Sequence, residues 1–286
     1  MKNKINGLRF IVGSECNYNC FYCHKEGFCE SKYIEIDDDK LEKLYQYAIR
    51  EGINSIAITG GEPFLYWENT KKILSKFNDP CFKITLNSNF SLLDLHYDEI
   101  IKFNCIEFHV NLSSLNNKMH QQIIGQNYLE RVKNNLSLLK NTHHVVCLNV
   151  LATKNNDLRE VFSYSIKNGF LPRILVLMPV HNSQKELVIT IPEILKLFNN
   201  PKIDEKYAYG IYKVTSDDGN FEIIKCLCDD LECEICAQNT FMHLTPDLNI
   251  KYCLKSDDIV ECNYENLDTL DEGFAEAQKR LVRRIK

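Results

Sequence analysis

Leu8-Arg9-Phe10-Ile11-Val12-Gly13-Ser14-Glu15-Cys16-Asn17-Tyr18-Asn19-Cys20-Phe21-Tyr22-Cys23 opens as a short apolar run and closes on three cysteines spaced C-x3-C-x2-C. The apolar part reads as a strand and the cysteines as the loop at its carboxyl end. Tetrahedral zinc sites and most iron–sulfur clusters take four protein ligands. Three thiolates on one loop therefore leave one metal position without a protein ligand, open to something that reacts. Buried cysteines also occur as plain small hydrophobes. Asn17, Tyr18, Asn19 and Tyr22 make this run too polar for that role.

Outward from this loop, apolar β-branched runs alternate with helical patterns. The runs Leu8–Val12, Asn54–Thr59, Phe82–Asn87, Ile106–Asn111, Val145–Leu151 and Arg173–Met178 read as strands covered on both faces. A helix is expected over Asp38–Glu51, with Leu41, Leu44, Tyr45, Ala48 and Ile49 inward and Gly52 as its stop. Further helices are expected near Thr70–Phe77, Leu95–Phe103, Leu129–Leu139 and Leu158–Asn168. Right-handed βα repeats of this kind build a parallel sheet, an α/β fold. Six such repeats are too few to close an eight-stranded barrel.

After Pro179 the rhythm changes. A helix around Ile194–Asn199 precedes a hairpin of Tyr209–Thr215 and Phe221–Lys225, turned at Asp217-Asp218-Gly219-Asn220. Five cysteines fall between Cys226 and Cys253, with a sixth at Cys262. Leu270, Phe274, Ala277, Leu281 and Ile285 then recur at helical spacing. The expected division is a core over residues 1–185 and a small cysteine-rich unit over 186–286, stapled by a metal.

Ligands of open α/β sheets bind at the carboxyl ends of the strands, and the remaining motifs fall there. Gly60-Gly61-Glu62-Pro63 follows the second strand and Asn87-Ser88-Asn89 the third, while Asn111 and Met178 end the fourth and sixth. Glycines at 60 and 61 permit close backbone approach, and Glu62 can accept from an ammonium. The cysteine spacing with Tyr22 before its last member, followed by Gly60-Gly61-Glu62-Pro63, resembles the radical S-adenosylmethionine (SAM) superfamily. Within it, the chain is most similar to the GTP cyclases of molybdenum-cofactor biosynthesis. Gly7-Leu8-Arg9, Cys23-His24-Lys25-Glu26-Gly27, Ser113-Ser114-Leu115-Asn116 and Arg173-Ile174-Leu175-Val176-Leu177-Met178-Pro179 carry that similarity.

The resemblance implies an open partial (β/α)6 barrel in which Cys16, Cys20 and Cys23 hold a [4Fe–4S] cluster. It implies that the cluster's open iron binds SAM and reduces it to methionine and a 5′-deoxyadenosyl radical. It places Tyr22, Gly60, Gly61, Glu62, Asn111 and Met178 around SAM, with Asn111 where the cyclases carry Ser. Cys233, Cys236 and Cys253 resemble the ligands of the cyclases' second [4Fe–4S] cluster. Cys226, Cys228 or Cys262 would seal that cluster, and a four-cysteine zinc site fits the same residues. An electron donor such as flavodoxin or ferredoxin is implied as well.

The cyclases hold a triphosphate with arginines and a lysine. Of those cations Arg9 is kept, but Ala57 and Cys147 stand where an arginine and a lysine are expected, and Ala237-Gln238-Asn239-Thr240-Phe241-Met242-His243, without a fixed cation, stands where the cyclases are rich in arginine. The substrate is therefore expected to be a small molecule or peptide other than GTP, meeting His243, His109, Asn149 and Lys83. A divergent GTP cyclase, a peptide-maturing enzyme and a non-catalytic iron–sulfur or zinc sensor are the alternatives. No peptide-recognition segment precedes Arg9, which weighs against the second.

Composition bounds the rest. The 286 residues, 44% apolar with net charge −5, read as a globular chain without a nucleic-acid footprint. No run reaches the roughly 18 apolar residues of a membrane span, and Met1-Lys2-Asn3-Lys4 begins no secretory signal. Thirteen cysteines, an odd number, suit metal ligation in a reducing cytoplasm.

Overall fold

The computed structural model describes residues 5–28, 32–179, 182–206, 210–225 and 240–283. Six parallel strands form its centre: β1 (Ile5–Ile11), β2 (Ser55–Thr59), β3 (Lys83–Ser88), β4 (Ile106–Asn111), β5 (Val145–Ala152) and β6 (Leu171–Val176), each paired to the next. Between them run α1 (Asp38–Glu51), α2 (Trp67–Lys76), α3 (Tyr97–Ile100), α4 (Asn117–Ile124), α5 (Leu129–Leu138) and α6 (Leu158–Lys167). The expected helix at 95–103 is instead a 3-10 turn, Leu93–Leu95, followed by the one-turn α3.

Alternation along the strands sorts their side chains onto two faces. Leu8, Phe10, Ile56, Ile58, Phe108 and Leu148 turn outward and pack with the helices in one apolar core. Their neighbours Arg9, Thr59, Asn87, His109, Cys147 and Arg173 take the concave face. The sheet is thus a partial barrel, greasy outside and polar within.

Residues after 186 add strands to both edges of this same sheet. β7 (Lys202–Lys206), β8 (Ile211–Thr215) and β9 (Phe221–Ile224) form an antiparallel meander whose last strand lies parallel to β6. At the other edge β10 (Thr240–Leu244) runs parallel to β1, and β11 (Ile250–Lys251) turns back along it. The order is β11-β10-β1-β2-β3-β4-β5-β6-β9-β8-β7, open at both ends among the described residues. The hairpin read from the sequence is β8–β9. β7, entirely exposed, carried no apolar alternation to reveal it.

α7 (Ile191–Leu195) begins on a capping box at Thr190, and α8 (Leu267–Arg283) closes the described chain. α8 explains one departure from expectation. Ile49 is 51% exposed, whereas Tyr47 is buried, stacked on Phe274 at 4.5 Å and donating to Asp271. The terminal helix lies on α1 and buries Tyr47 in place of Ile49, while Leu41, Leu44 and Ala48 are buried as expected. Ile285 lies outside the described residues.

Candidate functional site

The cysteine loop is anchored on three sides. Val12 N–H donates to Thr59 O at 2.9 Å, extending the β1–β2 pairing into the loop. Gly61 and Glu62 then donate to Gly13 O and Glu15 O at 2.8 and 2.9 Å. On the far side Asn19 and Phe21 donate to the last carbonyls of α4, Ile124 O and Ile123 O. The glycines are dictated by this packing. A Cβ on Gly61 would stand 1.8 Å from Glu15 O, and Gly60 has φ +138°, which L side chains rarely adopt. Close approach at Gly60-Gly61 is thus to the cysteine loop's own backbone.

Glu62 is fully buried. Its Oε1 accepts from Ser88 Oγ and Phe64 N at 2.7 and 3.1 Å, and its Oε2 from Asn89 N at 2.7 Å. Burial raises its pKa to about 7 against these bonds. The carboxylate joins the loop after β2 to the loop after β3. Asn89 continues the brace, donating to Asn17 Oδ1 at 2.7 Å and lying 3.6 Å from Cys16 Sγ.

Cys16 and Cys23 are exposed and Cys20 half-buried. Two backbone donors address the sulfurs, Tyr18 N to Cys16 at 3.4 Å and Lys25 N to Cys23 at 3.3 Å. Withdrawal from water pushes the half-buried Cys20 up to about 12, and the neighbouring thiols push further. A loop that gathers mutually repelling thiols and aims N–H groups at them suits a cationic iron–sulfur core, which takes thiolates and is tuned by such bonds. The residues fit a three-thiolate iron–sulfur cluster.

Tyr22 sits edge-on to Phe21 at 5.5 Å, its hydroxyl bonded to Cys20 and Ser113. Asn111 ends β4 beside Asn149 of β5, and Met178 follows β6, half-buried. Cys253 follows β11, half-buried. Cys262 lies on the other side of the Ile250–Val260 bridge, its backbone bonded to Asn249 and its sulfur facing Gly273 of α8. Cys226, Cys228, Cys233 and Cys236 fall outside the described residues.

Two polar groups line the barrel. At the β4–β6 wall, Glu107 Oε1 meets His109 Nε2 at 2.6 Å, and His109 Nδ1 lies 2.6 Å from Arg173 Nη1. Arg173 Nε donates to Glu222 of β9 at 2.9 Å. Cys147 is buried beside them. Ligand atoms of Glu107, His109 and Cys147 lie within 4.8 Å of one another. Both ring nitrogens of His109 are already engaged there, and the guanidinium disfavours a cation. At the β1 wall, Glu26 follows the cysteines and turns inward. Its Oε1 accepts from Thr59 at 3.0 Å, and its Oε2 stands 3.8 Å from Arg9 Nη1. His243 of β10 is Arg9's register partner. Lys83, by contrast, is exposed at the start of β3.

Cys16, Cys20 and Cys23 fall on the loop after β1, Gly60-Gly61-Glu62 packs against that loop, and Asn149, His109 and His243 fall on β5, β4 and β10. The expectations overlooked Glu26, Glu107 and Glu222 as lining residues. The inward phase of Glu107, two before His109, was readable from strand alternation; Glu26 sits on an irregular turn with no periodic signal.

A family model described as the radical SAM superfamily matches residues 10–162. A probable GTP 3′,8-cyclase of Methanococcus vannielii is 29% identical over 261 residues, covering 89% of this chain and 86% of that protein. The corresponding protein of Methanothermobacter thermautotrophicus is 25% identical over 295 residues, covering 96% and 94%. Among solved structures, anSMEcpe with bound AdoMet superposes with TM-score 0.68 at 16% identity, over 98% of this chain and 83% of that one. Streptococcus suis SuiB bound to the precursor peptide SuiA gives 0.67 at 15%, over 94% of this chain and 65% of that one. The structural likenesses show a shared fold.

Proposed function

Because the chain belongs to the radical SAM superfamily and is a radical SAM enzyme, we propose that it turns over a substrate other than GTP inside the barrel. The observation that carries this reading is the state of the barrel's cations. Arg9 faces Glu26 at 3.8 Å and Arg173 is bound to Glu222 at 2.9 Å, so each inward guanidinium is matched by a carboxylate. A triphosphate needs unmatched positive charge. Ala57 and Cys147 supply none at the positions where the cyclases are cationic, and His243 is held neutral, lowered to about 3 by burial and by Arg9.

Cys16, Cys20 and Cys23 would hold a [4Fe–4S] cluster and leave one iron to SAM. When bound, the cluster supplies the electron that splits the sulfonium C–S bond, giving methionine and a 5′-deoxyadenosyl radical. The chain's own part is placement. The backbone at Gly60-Gly61 fixes the roof against the cysteine loop, Tyr22, Asn111 and Met178 border the cofactor, and the outer helices exclude water. An external donor such as flavodoxin or ferredoxin would deliver the electron. In this reading residues 186–286 carry a second cluster on Cys233, Cys236 and Cys253. Cys262 turns its sulfur to Gly273 of α8.

Anaerobic reconstitution with iron and sulfide, then SAM and dithionite, tests the proposal. Deoxyadenosine release is expected from the wild type and is expected to fall to background in Cys20→Ala. GTP is expected to leave that rate unchanged. A GTP-dependent rise with hydrogen moved from ribose into deoxyadenosine would return the chain to the cyclases. Iron content without SAM cleavage would make it a sensor.

A further inference from the structure

Three buried polar atoms on the β1 wall have no hydrogen-bond partner among the described residues: Arg9 Nε, Glu26 Oε2 and His243 Nδ1. Leaving such an atom unmade costs about 1–3 kcal/mol, more when it is charged, so natural interiors rarely keep one and seldom three together. The backbone that delivers Glu26 is itself unusual. Lys25 and Glu26 both have φ near +52°, a left-handed conformation disfavoured for side chains of this kind. Strain and missing partners coincide two to three residues after Cys23. They fall on the wall below the cysteine loop, where Thr59 leads into Gly60-Gly61.

The three atoms define a complement. Glu26 Oε2 needs a donor and Arg9 Nε needs an acceptor, while His243 Nδ1 serves either role according to its tautomer. Glu26 and Arg9 offset each other's charge, and the buried Lys251 in register with His243 turns its ammonium to Ser256 O, so the group between Glu26 and Arg9 carries none. A trans peptide unit aims its N–H and C=O in opposite directions and cannot satisfy both from one side.

Resting on the SAM-cleavage reading above, we infer that Glu26, Arg9 and His243 are the specificity face for the substrate. They recognise a small, unphosphorylated molecule through a neutral edge that pairs a donor with an adjacent acceptor, as a hydroxyl or a ring lactam does.

The test uses full-length reconstituted protein with SAM and dithionite, and as probe a low-molecular-weight ultrafiltrate of the source cells, with and without phosphatase treatment. Deoxyadenosine release is expected to rise above the ultrafiltrate-free rate, and phosphatase treatment is expected to leave the rise intact. Glu26→Gln and Arg9→Lys, each compared with its own ultrafiltrate-free rate, are expected to shift the half-stimulating amount upward by about tenfold to a hundredfold. Arg9→Lys keeps a charge opposite Glu26 and removes the guanidinium fork that carries the Nε donor. Unshifted curves in both variants overturn the inference, as does a rise abolished by phosphatase or no rise at all. Absence of deoxyadenosine from the wild type under every condition instead removes the SAM-cleavage reading beneath it.

Discussion

The two walls of the barrel are built from the same residue types and are finished differently. On the β4–β6 side, Glu107, His109, Arg173 and Glu222 form a chain in which each group meets the next at 2.6, 2.6 and 2.9 Å. On the β1 side, Glu26, Arg9 and His243 face one another with three buried atoms unsatisfied. That chain of contacts is architecture: it ties β4 and β6 to β9 and thereby fastens the second half of the chain onto the barrel, with Asn149 Oδ1 of β5 the one buried atom beside it without a partner among the described residues. An uncompleted network beside the cysteine loop is a binding surface awaiting its other half.

That contrast is broken most directly with arginine. Arg173→Met leaves the Glu222 carboxylate and a His109 nitrogen without their partner in a mostly buried site, at an expected cost of about 3–5 kcal/mol. Arg9→Met removes a cation whose Nε is already unmatched and whose carboxylate stands at 3.8 Å. Its cost is expected to stay near 1 kcal/mol, the range of loosely made ion pairs. Anaerobic urea unfolding of both variants measures the difference. Equal losses would mean that the walls are equivalent after all.

The carboxylates sharpen the same point at smaller scale. Glu222→Gln weakens a charged hydrogen bond to Arg173 and is expected to cost about 1.5–3 kcal/mol. Glu26→Gln loses no hydrogen bond that its Thr59 contact cannot keep, and is expected to change stability by under about 1 kcal/mol. A Glu26→Gln variant as unstable as Glu222→Gln would make Glu26 a structural strut.

How much of this was legible in the sequence follows from where periodic order exists. The central strands were readable because continuous apolar runs mark strands covered on both faces, and β4 and α1 fall where expected, Ile106–Asn111 and Asp38–Glu51. The cysteine loop was readable because spacing along the chain is itself the chemistry. Gly52 was readable as a stop, and it takes φ +66°. What stayed hidden depends on contacts between distant segments. Tyr47 rather than Ile49 is buried only because α8 arrives some 220 residues later, through Asp271 and Phe274. The completed and uncompleted walls differ in partners contributed by β9 and by the turn at Glu26, which no local pattern announces. The fold's edges were hidden for the same reason, since β10 joins β1 across more than 200 residues.

A third buried group supplies the reference for what an unmatched atom means away from the barrel's concave face. His120 on α4 is fully buried with neither ring nitrogen bonded, and burial lowers its pKa from 6.5 to about 4. Unlike His243, it faces no carboxylate or guanidinium among the described residues, so its cost is plain desolvation of a neutral ring. As pH falls below 6.5 the unfolded chain takes up a proton that the folded chain refuses, down to about pH 4. The folded state is therefore held in full above that window and loses stability through it. His120→Phe removes this loss. It is expected to raise stability relative to wild type by about 1 kcal/mol near pH 5.5, at about 1.4 kcal/mol per pH unit below the unfolded value, with the gain shrinking toward neutral pH. Unfolding curves across that range decide it. His243→Phe is expected instead to lower stability at neutral pH, since it sets an apolar ring beside Arg9 and Glu26; a rise matching that of His120→Phe would make His243 another merely buried histidine.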